Sequence, residues 1–124
     1  MKFASIRLVT QEFERLVAFY RNLSGVEPVR LADGFAELRC DGAVLAISSE
    51  QLIQRFNAGA ATAAANRSAI LEFEVDDLDS VCERMRAAGV EIVMPVTAMP
   101  WGNRSLLLRD PDGSLVNVFS RPAP

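Results

Sequence analysis

Apolar positions along the chain fall into two successive series of the same kind. In the first, residues 3–9 form a run rich in β-branched and apolar side chains, which predicts a strand. Thr10 then stands where a helix cap is expected, with acidic Glu12 in the first turn. Phe13, Leu16, Val17 and Tyr20 recur at i, i+3, i+4 and i+7, the stripe of an amphipathic helix that Gly25 ends. Residues 28–31, 35–40 and 43–47 read as three short strands, separated at Asp33-Gly34 and Asp41-Gly42.

The second series repeats the first. Residues 69–75 predict a strand and Asp76 or Asp77 a helix cap; Leu78, Val81, Cys82 and Met85 make the buried stripe, and Gly89 the stop. Strands follow over 92–96, 104–109 and 115–119. Both helices close on the same tripeptide, Gly25-Val26-Glu27 and Gly89-Val90-Glu91. Each half is therefore a βαβββ unit, too small to bury enough apolar surface alone, and the fold class is α+β. The expected organisation is a single domain over 1–124, with one module over 1–48, a linker over 49–67 and the second module over 68–121. The linker has room for a short helix before the loop AGAATAAAN, whose side chains carry no catalytic groups; it is a surface connection or a lid.

Composition narrows the chemistry. The chain contains no histidine, which removes the commonest metal ligand, the usual base near neutral pH and every Ser-His or Cys-His nucleophile. Its net charge of −3 argues against nucleic acid as a partner. No apolar run approaches the roughly 18 residues that span a bilayer, and the start, MKFASIRLVTQEF, lacks a signal-peptide pattern, so a cytoplasmic protein without a membrane partner is expected. Cys40 and Cys82 are too few for a disulfide framework, and Cys82 on the helix stripe reads as core.

The segment WGNRSLLLRDPDGSLVNVF, over 101–119, is strand, tight turn, strand, with Pro111 and Gly113 supplying the turn. It resembles the C-terminal signature of the vicinal-oxygen-chelate superfamily, which includes glyoxalase I, extradiol dioxygenases and the fosfomycin- and bleomycin-resistance proteins. FYRNLSGVEPV over 19–29 is similar to the family's first helix and turn, and LEFEVDDLDSV over 71–81 to its fifth strand and second helix. The resemblance implies paired βαβββ modules whose strands curl into a cup-shaped mixed sheet with helices outside. It also implies a homodimer and a small-molecule ligand. Metal-dependent members take ligands from the first, fourth, fifth and eighth strands, places that carry over to Ser5, Ala46, Ile70 and Asn117. A divalent ion needs several hard donors at once, so no metal and no cofactor is expected.

Alternation predicts what faces the cup instead, because residues two apart on a strand share a face. Ile70, Glu72 and Glu74 belong together, as do Ser5, Arg7 and Val9, and Leu115, Asn117 and Phe119. Glu72 and Glu74 are either solvated charge on an open face or the complement of a cationic ligand, with Arg7 a candidate partner. Trp101 is either a plug over strand ends or the stacking aromatic that drug-resistance members carry near this loop. Arg104 would hold a ligand carboxylate or pair with Asp110 or Asp112, and those two aspartates read as turn formers. The expected ligand set is thus Arg7, Glu72, Glu74, Trp101, Arg104, Asn117 and Phe119, with no catalytic residue assigned. The expected function is metal-independent sequestration of an aromatic or cationic compound. The alternative is an isomerase, lyase or hydrolase using Glu72 or Glu74 as general base.

Overall fold

A computed structural model of the protein describes residues 1–123. The chain forms two compact units, one spanning Met1–Ala65 and the other running from Asn66 onward. The first contains β1 (Ile6–Thr10), α1 (Phe13–Ser24), β2 (Val29–Ala32), β3 (Phe35–Cys40), β4 (Ala43–Ser49) and α2 (Glu50–Phe56). The second contains β5 (Ile70–Glu74), α3 (Leu78–Ala87), β6 (Ile92–Ala98), β7 (Arg104–Arg109) and β8 (Leu115–Ser120). Each unit holds one four-stranded sheet, ordered β1-β4-β3-β2 and β5-β8-β7-β6. The first strand of each pairs in parallel with the last, and the other pairs are antiparallel. The helix after the first strand is the crossover that parallel pairing requires. The α+β class and the repeated βαβββ module are both present. Among the described residues no helix is long and apolar enough to cross a membrane.

Helical periodicity explains the core of the first unit. Leu16, Val17, Tyr20 and Leu23 line one face of α1 and are buried, against β3 and β4. Each such aliphatic side chain contributes roughly 1.5–3 kcal/mol on burial. Tyr20 is fully buried with its ring edge-on to Phe19, 4.9 Å between centroids, which settles it as packing. Gly25 ends the helix at φ 72°, where its N–H donates to the Arg21 carbonyl at 2.8 Å.

Two local expectations are corrected. Phe3 is exposed and β1 begins only at Ile6. Thr10 does not cap α1: its hydroxyl accepts from the Glu12 N–H at 3.0 Å, forming the turn into the helix, while Glu12 is the cap residue and Glu14 the acid of the first turn. The 49–67 stretch contains the short helix it had room for, α2, followed by the loop. Ser49 ends β4 and accepts from the Leu52 N–H at 3.4 Å as the cap of α2. Glu50 then straps the following loop by accepting from the Ala63 N–H at 2.7 Å.

The second unit is built by the same physics. Asp77 caps α3 by accepting from the Ser80 N–H at 3.0 Å, and Leu78, Val81, Cys82 and Met85 are its buried stripe. That stripe packs toward β7 and β8, whose Leu106, Leu108, Val116 and Val118 are completely buried. The β7–β8 connection is locked by Asp110, whose Oδ1 accepts from the N–H groups of Asp112 and Ser114, both at 2.9 Å. Gly113 completes it at φ 89°, a conformation costly for a residue with a Cβ.

Candidate functional site

The sheet faces turned away from α1 and α3 carry several polar side chains. In the second unit the strand registers align Glu72 with Asn117 and Leu107, and Glu74 with Phe119 and Ser105. Because Val116, Val118, Leu106 and Leu108 are buried on the helix side, these rows occupy the other side. Ile70 and Leu115 join them one step along. The parity expected for Ile70, Glu72 and Glu74, and for Leu115, Asn117 and Phe119, is therefore present.

The contacts on this face divide the two carboxylates into different electrostatic types. Glu74 forms an ion pair with Arg121 at 3.1 Å, and the Arg121 guanidinium also lies 5.6 Å from the Phe119 ring centroid. Its charge is neutralised locally. Glu72 accepts from Asn117 Nδ2 at 3.1 Å, a neutral donor that brings no opposite charge. Asn117 Oδ1 is buried with no hydrogen-bond partner, a state that costs roughly 1–3 kcal/mol relative to a satisfied acceptor. Within the second unit, Asn117 is the partner of Glu72 and Arg121 that of Glu74. Arg121 follows Phe119 by two residues and so shares its face; strand parity carried one step past the expected end finds it.

Arg104 lies elsewhere. It alternates with the buried Leu106 and Leu108 on the helix side of β7 and pairs with Asp79 of α3 at 3.0 Å, not with Asp110 or Asp112. The Arg104 hydrogen bonds, followed by its charge, hold the Asp79 carboxyl below its ordinary value. Trp101 sits in the turn between β6 and β7 with 70% of its surface exposed, so it is not a plug. Neighbouring Gly102 packs beside Pro122, where an added Cβ would stand 3.3 Å from the proline Cγ. This places the Trp101 turn next to the end of β8 that carries Phe119 and Arg121.

In the first unit the equivalent row is Arg7, Ala46 and Glu37, with Val9, Ser48 and Phe35 beside it. The Arg7 guanidinium lies 5.8 Å from the Phe35 ring centroid, and its Nη2 donates to Asn57 Oδ1 at 3.1 Å. Glu37 is paired with Arg39 at 3.0 Å. Phe35, Glu37 and Arg39 share a face by strand parity, a signal in the sequence that the expected ligand set did not use. Cys40 is half-buried and burial raises its thiol above the ordinary value, away from the thiolate a nucleophile needs.

The metal places of the resemblance do not fit a divalent ion. Ala46 and Ile70 have no donor atom, Ser5 offers one hydroxyl, and Asn117 offers a neutral amide. Among the described residues no three His, Cys, Asp or Glu side chains cluster as metal ligands would.

A repeated βαβββ module, each copy with one open sheet face, is the architecture of the superfamily that the sequence resembles. The chain belongs to the glyoxalase/bleomycin resistance protein/dioxygenase superfamily, whose family model matches residues 2–118. Among solved structures it is similar to a glyoxalase/bleomycin resistance protein/dioxygenase from Nocardioides, at 27% identity and a TM-score of 0.77, covering 98% of this chain and 84% of that one. A glyoxalase-related enzyme from Fulvimarina pelagi is also 27% identical, with a TM-score of 0.81 over 98% of this chain and 88% of that one. A lactoylglutathione lyase from Agrobacterium tumefaciens, 24% identical with a TM-score of 0.71 over 96% of this chain and 92% of that one, shares the fold. No curated protein matches the chain.

Proposed function

We propose that this protein binds a small aromatic or cationic compound and holds it unchanged, without a metal. One observation carries the reading: the places where the superfamily's metal-dependent members hold their ion are occupied by Ser5, Ala46, Ile70 and Asn117, a set with too few hard donors. Glu72 supplies the anionic group for a cation, Phe119 and Leu115 supply apolar surface, and the exposed Trp101 ring is free to stack on a flat molecule. Base catalysis has less support. Glu72 hydrogen-bonds the Asn117 amide and Glu74 pairs with Arg121, and neither partner is an acid or base that exchanges protons near neutral pH.

Titration with a panel of aromatic cations, followed by Trp101 fluorescence, tests this. At least one compound should quench the emission saturably and be recovered chemically intact. A panel that leaves the emission unmoved removes Trp101 from the site, and conversion of the compound to product overturns sequestration.

A further inference from the structure

We infer that the open face of the first unit carries a second recognition element, a carboxylate subsite built on Arg7; this deepens, and rests on, the reading of the chain as a small-molecule binder. Three features support it. The first is the way Arg7 is laid down. It reaches from β1 towards Phe35 on β3, past the intervening strand β4, whose residues in the same rows are the small Ala46 and Ser48. Both small residues are buried beneath the pair, so the exposed Arg7 side chain reaches the half-buried Phe35 with nothing bulky between them.

The second feature is that the guanidinium is held from two sides without being neutralised. Phe35 contacts it at 5.8 Å from the ring centroid and Asn57, at the end of α2, accepts one hydrogen bond at 3.1 Å. A guanidinium has five N–H donors, and among the described residues Arg7 makes one hydrogen bond and no ion pair. The remaining donors form the planar fork that recognises a carboxylate through two parallel bonds. The third feature is the fate of the nearest acid in the row. Glu37 stands across Ala46 from Arg7, yet it bonds Arg39 through both Nε and Nη2, at 3.1 and 3.0 Å. Its charge is satisfied within its own strand, and the Arg7 charge is left for a ligand.

The consequence is a ligand class: a flat acid whose carboxylate engages Arg7. Calorimetric titration of the intact protein with 2-naphthoate and with uncharged 2-naphthamide reads it directly. The acid should bind at least tenfold more tightly than the amide. Arg7→Gln should bring that ratio to about one with the amide's affinity unchanged, and Asn57→Ala, which frees the guanidinium to wander, should lower the ratio partway. Arg7→Lys keeps the charge without the fork and should also fall between.

Equal binding of acid and amide to the wild-type protein, or a ratio that survives Arg7→Gln, overturns the inference while leaving small-molecule binding intact. Failure of both naphthyl compounds to bind overturns it as well; the broader reading falls only if the cationic panel also fails.

Discussion

Replacing Asp110 with alanine is expected to lower the free energy of unfolding by about 3 kcal/mol, a large share of the 5–15 kcal/mol typical of a domain. The carboxylate is buried and its Oδ1 accepts from two backbone N–H groups. Alanine leaves both without their acceptor, and the Ser114 bond is a buried one. Asp110→Asn keeps a carbonyl oxygen at the same place and should cost only about 1 kcal/mol, because a neutral acceptor bonds less strongly than a charged one. Urea midpoints of the three proteins, compared at equal slope, decide it. If alanine and asparagine prove equally mild, the turn is held by Pro111 and Gly113 alone.

Glu72→Gln should weaken an aromatic cation by about tenfold while leaving a neutral analogue of the same shape unaffected, the scale expected for removing one charge-assisted contact at a partly exposed site. Glu74→Gln should change the same affinity less than about threefold, because Arg121 already neutralises that carboxylate, and exposed pairs are worth little. The contrast is the informative part. Equal losses at both positions would mean that the face acts through its total charge, and a larger loss at Glu74 would mean that Arg121 swings away on binding. Abolished turnover of a substrate by Glu72→Gln would instead favour the enzyme reading.

How far the sequence anticipates these results depends on the range of the interaction. Periodicity is local, and it located β7 at Arg104–Arg109, the α3 stripe from Leu78 to Met85 and the common face of Glu72 and Glu74. Turn chemistry is also local, and Asp110 and Gly113 act as their residue types predict. Side-chain partners follow tertiary placement. Arg104 finds Asp79, 25 residues away, because β7 lies against α3; Arg7 finds Asn57, 50 residues away, because α2 ends beside β1. Neither separation leaves a mark in the periodic pattern. Thr10 shows the same limit at short range, since a hydroxyl suited to capping a helix serves equally well to close the turn before it. The face of each glutamate was legible, but the partner of each was not, because Asn117 in β8 and Arg121 just beyond it arrive from far along the chain.

Affinity measured before and after exhaustive dialysis against a chelator, with elemental analysis of both samples, bears most directly on recognition without an ion. The isotherm for a quenching aromatic cation should be superimposable in the two samples, with zinc, nickel, manganese and iron well below stoichiometric in each. Stoichiometric metal in the first sample, with binding lost in the second and restored by adding that metal back, would contradict it.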